Sequence, residues 1–280
     1  MTESELEDLG PIREHYASEG VVARVLAALR NASGPDVPIT SDTLAPIDHF
    51  HGKGVIATEE VSASLQPKAS DHVLDIGCGI GGPARWIAAK YGCRITGVDL
   101  TLGFCEAARE LNSLTGLAER ITILHGSALA IPVPDASFDH AYSQAVLMNI
   151  SDKLAFLREV FRVLRPGGLL ALSFVGSGPA GKPYYPLPWA ATAATSFLVT
   201  LDEIRSDLFA AGFQIATLRD TSAEVTADLA PVLRKLETEG LPPLGEHVVT
   251  GEEAKTWRIN AMRSLRDRTS MIEVLARKPA

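Results

Sequence analysis

The chain has 280 residues, 46% hydrophobic and 21% charged, with a formal net charge of −8. That composition supports one large domain, or one domain with a modest appendage, and excludes global disorder. The acidic balance repels polyanions and argues against nucleic-acid binding: the basic stretch from Arg258 to Arg268 follows Glu252 and Glu253, contains Asp267, and reads as a solvated helix face.

Residues 1–10 are acidic, which argues against a signal or transit peptide. Over 11–32, Ile12, Val21, Val22, Val25, Leu26 and Leu29 recur at roughly helical spacing, ending near Asn31 and Gly34. A second helix is expected over 55–65, after Asp48-His49-Phe50-His51-Gly52-Lys53-Gly54. Residues 1–65 thus read as an N-terminal helical cap. From residue 72 apolar strands at 72–76, 94–100, 121–125, 138–143 and 169–175 alternate with helices at 82–91, 104–115 and 152–164. Arg165-Pro166-Gly167-Gly168 reads as the stop of the last of these helices, with glycine at its C-cap. Residues 176–189 are rich in Gly and Pro and read as loop. Thr200 and Glu203 signal a capping box for a helix over 200–211. A strand at 213–218, helices over 222–267 broken at Leu241-Pro242-Pro243, and a last strand at 271–276 complete the pattern.

The expected fold is α/β: a Rossmann-like, mostly parallel seven-stranded sheet with helices on both faces. Its core spans 66–221, a helical lid is inserted over 222–267, and 268–280 returns the final strand. Cys78, Cys93 and Cys105 have no CxxC spacing, and their odd number fits a reducing, cytoplasmic setting. No apolar run reaches the roughly 20 residues of a spanning helix. No His, Cys and carboxylate cluster has metal-ligand spacing.

The chemistry concentrates in Asp75-Ile76-Gly77-Cys78-Gly79-Ile80-Gly81-Gly82, a glycine-rich turn between strand and helix. Such a turn brings backbone close to a ligand and aims helix N-terminal N–H groups at it. Gly77, Gly79 and Gly82 fit the G-x-G-x-x-G of dinucleotide folds; Gly77, Gly79 and Gly81 fit the G-x-G-x-G of methyltransferases. Asp99, 22 residues after Gly77, suits ribose recognition in either. Three further features separate the readings. Asp75 is unhelpful beside a pyrophosphate but can order a loop facing a cationic sulfonium and ammonium. Leu164-Arg165-Pro166-Gly167-Gly168 and Pro134-Asp135-Ala136-Ser137-Phe138-Asp139 have no counterpart in a nicotinamide fingerprint. The elements after the fifth strand do not make a second mononucleotide-binding half.

As a set, VLDIGCGIGGPARWIA, ITGVDL, SFDHAYSQ and RVLRPGG resemble the class I S-adenosylmethionine-dependent methyltransferases. The resemblance is to the small-molecule subgroup that includes sarcosine/dimethylglycine, phosphoethanolamine and sterol methyltransferases, and it covers roughly residues 45–220. Asp48-x-Phe50-His51 with Gly54 and Thr58 is similar to that subgroup's signature ahead of the sheet. The resemblance implies S-adenosylmethionine as cofactor, with Asp75, Gly77, Cys78 and Gly79 ordering and lining the methionine portion. It implies that Asp99 takes the ribose hydroxyls, that Leu100 packs on the adenine, and that Gln144 touches the methionine moiety. The usual Gly-Asp-Ala after the third strand is Gly126-Ser127-Ala128 here, so Ser127 would replace a carboxylate at the adenine amino group.

Methyl transfer is an in-line displacement that demands alignment and dryness, and a base only where the acceptor must lose a proton. Related enzymes acting on activated hydroxyls or carbons often place a His-His or His-Met pair after the fourth strand; here the equivalent is Met148-Asn149-Ile150, so that histidine is absent. Its absence slightly favours an amine over an oxygen or carbon acceptor. His51, Tyr184 and Tyr185 are the candidate catalytic residues, with Trp189 beside them. His51, read as a contact to the cofactor carboxylate or as a substrate base, reads equally well as the cap of a helix in the N-terminal segment, and the aromatic residues as anchors of a Pro-rich loop. His125 and His140 read as structural, and Cys78 as a packing residue. The competing function is a protein that keeps the cofactor without methylating, such as a cyclase, isomerase or ligand sensor.

Overall fold

The computed structural model describes Gly10, residues 20–227 and residues 229–280. Of the helix expected over 11–32, Ile12 and the rest of 11–19 lie outside these residues. The remainder forms α1 (Val21–Ser33), which buries Val21, Val22, Val25 and Leu29. A helix not foreseen from the sequence follows, α2 (Ser41–Asp48), opened by a reciprocal capping box between Thr40 and Thr43 and burying Leu44, Ile47 and Asp48. The expected helix at 55–65 forms as α3 (Val55–Leu65).

The sheet comprises β1 (His72–Ile76), β2 (Arg94–Asp99), β3 (Ile121–His125), β4 (Phe138–Gln144), β5 (Leu164–Ser177), β6 (Gln214–Asp220) and β7 (Thr269–Arg277). Their spatial order is β3-β2-β1-β4-β5-β7-β6. The first five strands pair in parallel, and β7 runs antiparallel to both β5 and β6. This is the Rossmann-like architecture expected, with an antiparallel pairing toward one edge. Because the chain winds outward from β1 to β3 and then restarts at β4 on the other side of β1, a crevice opens at the carboxyl ends of β1 and β4.

The period of two along each strand sorts side chains between two cores. Leu74, Ile76, Val98, Leu170 and Leu172 face α6 (Lys153–Val163) and α7 (Leu201–Ala210). Val73, Ile95, Tyr142 and Ala171 face α4 (Gly82–Tyr91) and α5 (Leu102–Leu114). In α6, Phe156, Leu157, Val160 and Val163 are fully buried, each contributing about 1.5–3 kcal/mol before the entropy of ordering. The Thr200–Glu203 capping box forms at the start of α7 as the sequence indicates.

The end of α6 departs from expectation. No glycine caps it: Leu164 turns directly into extended backbone and starts β5. The Lys278 ammonium, on the chain's last segment, donates instead to the carbonyls of Phe161 and Leu164 at 2.7 and 2.8 Å. Gly168 is needed for another reason, since a Cβ there would lie 2.7 Å from the Asp139 carbonyl oxygen.

Between β6 and β7 the chain forms α8 (Ser222–Thr226), α9 (Leu229–Glu239), α10 (His247–Thr250) and α11 (Ala254–Ser264). A third core joins this insertion to the cap: Val249 packs with Val25, Leu29, Leu44 and Ile47, and with Ile80 and Phe104 below. The Arg24 guanidinium fastens the two, donating to the carbonyls of Val248 and Val249 at 3.1 and 3.3 Å. Among the described residues, no helix is long and apolar enough to cross a membrane.

Candidate functional site

The crevice is built around the turn from β1 into α4. Gly77 has φ 76° and sits against the β4 end, where a Cβ would fall well under 3.0 Å from the Val146 side chain. Its N–H and that of Cys78 donate to the Val98 carbonyl at 2.8 and 3.1 Å, stitching the turn to β2. Gly82 answers a different demand. A Cβ there would lie 2.7 Å from the Asp48 carboxyl carbon and closer still to its backbone oxygen. The third glycine of the apparent dinucleotide spacing is therefore required by the crossing of α2 over α4, not by a pyrophosphate.

Asp99 ends β2 with both carboxylate oxygens turned to backbone: Oδ2 accepts from the Gly79 N–H at 2.8 Å and Oδ1 from the Thr101 N–H at 2.9 Å. Burial nevertheless outweighs these bonds and raises its pKa. Asp75 lies in register with Tyr142 across β1 and β4, buried below the turn. Burial pushes its pKa up to about 7, with the Tyr142 phenol opposing and Asp99 adding to the rise. Yet neither Asp75 Oδ2 nor Tyr142 Oη makes a well-formed hydrogen bond among the described residues. Burial also drives the Cys78 thiol well above its ordinary pKa, which leaves it inert as a nucleophile. His125 Nε2 lies 3.0 Å from the Leu100 carbonyl and fixes the chain just beyond β2. Ser127 Oγ, also buried, accepts from the Leu129 N–H at 3.1 Å, leaving its own hydrogen free to donate; Ala128 next to it is partly buried.

Beside the turn, Arg85 and His49 are polar groups that the sequence did not single out. The Arg85 guanidinium, on α4, pairs with Asp48 at 2.7 Å with both side chains buried, and also donates to the Ile80 carbonyl and Asn112 Oδ1. His49 Nδ1 lies 2.9 Å from the other Asp48 oxygen. Burial raises the Asp48 pKa, but Arg85 and His49 together reverse that and hold it below the usual carboxylate value. His49 Nε2 is buried without a partner among the described residues. Phe50 leans over Gly79 and packs on Phe104. His51 Nε2 lies 3.4 Å from Thr58 Oγ1, which in turn lies 3.2 Å from the Gln144 amide oxygen, Oε1. Burial first, and His49 second, lower the His51 pKa to about 4, so its ring is neutral.

The aromatic candidates on the loop after β5 lie farther from this cluster's chemistry. Tyr184 is 46% exposed; Arg268 stacks on its ring, and its N–H donates to Ser264 Oγ at 2.9 Å. Tyr185 packs against the core that holds Trp189, whose indole N–H donates to Ser196 Oγ at 2.9 Å. Asn149 lies in the Met148-Asn149-Ile150 segment after β4 and is buried. Its amide donates to the carbonyls of Trp189 at 2.7 Å and Thr195 at 3.1 Å, tying the loop to the β4 end.

Two carboxylates around the turn oppose a pyrophosphate dianion and suit a cationic ligand. An acceptor-only carboxylate at the end of β2 suits vicinal hydroxyls, and the buried Gln144 amide nitrogen has no hydrogen-bond partner among the described residues. The donor set thus fits S-adenosylmethionine better than a dinucleotide. Among the described residues, no group of three His, Cys, Asp or Glu could hold a metal ion.

Residues 74–172 match the family model described as a methyltransferase domain. The chain is 33% identical over 221 residues to the methyltransferase GfsG of Streptomyces halstedii, covering 75% of this chain and 76% of that protein. It belongs to the S-adenosylmethionine-dependent methyltransferases. The O-methyltransferase cnsE of Penicillium expansum is 31% identical to this methyltransferase over 68% of this chain and 67% of its own. Proteins named as C- and N-methyltransferases are also among its relatives. The crystal structure of the [4+2]-cyclase SpnF superposes with a TM-score of 0.66 at 24% identity, covering 93% and 94% of the two chains, and shows the shared fold. The order β5-β7-β6, with β7 antiparallel, is therefore the methyltransferase version of the sheet.

Proposed function

We propose that this enzyme methylates an amine nitrogen of a small molecule, the cofactor lying over the turn from Gly77 to Gly82. When bound, S-adenosylmethionine supplies a methyl carbon activated by its sulfonium. The protein's part is to hold acceptor and cofactor in line and dry. Gly77, Cys78 and Gly79 line the methionine portion, with Asp75 beneath them. Asp99 exchanges its backbone partners for the ribose hydroxyls, Leu100 packs on the adenine, and Ser127 with Ala128 borders its edge. Gln144 serves the amino-acid end. His51, neutral as it is, acts as a hydrogen-bonding group beside that end and not as a base; Tyr184 and Tyr185 anchor their loop.

The observation that carries the amine reading is Asn149, whose amide is spent on the Trp189 and Thr195 carbonyls. No base stands at that position, and an amine needs none, because it attacks as its free base. A hydroxyl acceptor is favoured by a separate observation. Asp48 orients His49 so that Nε2 carries the lone pair, the arrangement of a general base, and the fungal relative is named for O-transfer. His49→Gln separates the two readings, assayed with labelled cofactor against matched amine and hydroxyl panels. Turnover of an amine that stays within about ten-fold supports nitrogen transfer; a loss of ~10²-fold or more on a hydroxyl substrate reverses the choice. No label transfer to any acceptor or metabolite extract would favour a non-methylating role.

A further inference from the structure

We infer that Thr58 is a positioning residue, which, with His51 behind it, turns the Gln144 amide so that its carbonyl oxygen, not its nitrogen, is offered to the ligand. The inference rests on the proposal that Gln144 borders the cofactor's amino-acid end.

The argument is a count of hydrogens along a three-membered chain. A neutral imidazole has one N–H and one lone pair. His51 Nδ1 lies 3.4 Å from the Gly52 carbonyl, which can only accept, so Nδ1 carries the hydrogen. Nε2 is then the lone pair, and it lies 3.4 Å from Thr58 Oγ1. Thr58 must donate to it. A hydroxyl has a single hydrogen, so the Gln144 atom 3.2 Å away must itself be a donor. That atom is the amide nitrogen. The two ends of an amide differ only by a half-turn and are told apart by their partners. With oxygen toward Thr58, two acceptors would compete for one hydrogen, or His51 would set a lone pair against a carbonyl. The half-turn satisfies every group in the chain and leaves the carbonyl oxygen as the buried atom without a partner among the described residues. Such an oxygen recognises N–H donors, above all a cationic amine. The ammonium of the methyl donor and an amine on the acceptor share that chemistry.

Calorimetry tests this with S-adenosylhomocysteine, which carries the ammonium, and methylthioadenosine, which lacks the amino-acid end. Thr58→Val should weaken S-adenosylhomocysteine by about ten-fold, the order of one hydrogen bond to a charged group, and leave methylthioadenosine unchanged. Thr58→Ser should restore the affinity, and Gln144→Leu should show the same loss, with the double variant no weaker than Gln144→Leu alone. An equal loss for both ligands in Thr58→Val would mean a merely structural role and overturn the inference. A loss in Gln144→Leu without one in Thr58→Val would overturn it while leaving the Gln144 site intact. If neither variant changes S-adenosylhomocysteine, the placement of Gln144 at the cofactor fails. A rise in the KM of an amine acceptor in both variants would then reassign the carbonyl to the acceptor; unchanged KM would overturn the relay as well.

Discussion

Replacing Gly82 by alanine tests the approach of α2 to the glycine turn. On an uncrowded helix the change stabilises by about 0.4–1 kcal/mol, since alanine has less backbone freedom to lose. Here the added carbon lies 2.7 Å from the Asp48 carboxyl carbon, and its closest neighbour is the Asp48 backbone oxygen, which no side-chain rotation can move. Overpacking of this kind costs about 1–3 kcal/mol. Relief requires α2 to lift from α4, which stretches the buried Arg85–Asp48 pair; breaking such a pair costs about 3–5 kcal/mol. The combined expectation is a loss of about 3 kcal/mol, a fall in Tm of roughly 5 °C for a chain of this size. Adding Asp48→Ala should not rescue it, because the backbone oxygen remains. Thermal denaturation with and without S-adenosylhomocysteine reads the result. A Gly82→Ala variant as stable as the parent, but impaired in ligand binding, would refute the packing argument and return Gly82 to the ligand.

Asp75→Asn should stabilise the cofactor-free enzyme more at pH 8 than at pH 5. The folded pKa of about 7 lies above the ordinary 3.8, so across that window the folded state keeps a proton that the unfolded chain has lost. Stability contributed by protonated Asp75 is therefore lost as pH rises through 7, to an upper limit of roughly 4 kcal/mol; a gain in Tm from Asp75→Asn that is equal at both pH values would contradict this. Asn149→Ala should cost about 1–3 kcal/mol, the penalty for unpaired buried groups, and speed amide exchange over 187–197; unchanged exchange there would show that the tie to Trp189 and Thr195 does not hold the loop.

Much of the sheet was legible because its strands are short apolar runs punctuated by glycine, and because periodicity changes from two to 3.6 at each boundary. The capping box at Thr200 was legible for the same reason: all its atoms lie within one turn. What escaped depends on groups distant in sequence. The end of α6 is capped by Lys278, more than a hundred residues downstream, and no local pattern could announce that. α2 was hidden by Pro46 and by a polar run, although Thr40 and Thr43 with Leu44 and Ile47 carried a weak helical signal. Arg85 was the better clue. A lone guanidinium among Ala84, Trp86, Ile87 and Ala88 on a buried helix must find a carboxylate, and Asp48 provides it. The glycine turn was readable as a motif, but its spacing was ambiguous until Gly82 acquired a neighbour. The His51–Thr58–Gln144 chain joins three segments and becomes visible only when they fold together.

The bond from Arg24 to the Val248 and Val249 carbonyls spans more than 220 positions. It ties α1 to α10 of the insertion between β6 and β7, so the two pack as one unit. A chimera that imports only the 222–267 insertion inherits α10 carbonyls shaped for a different first helix, and one that imports only the front inherits the converse mismatch.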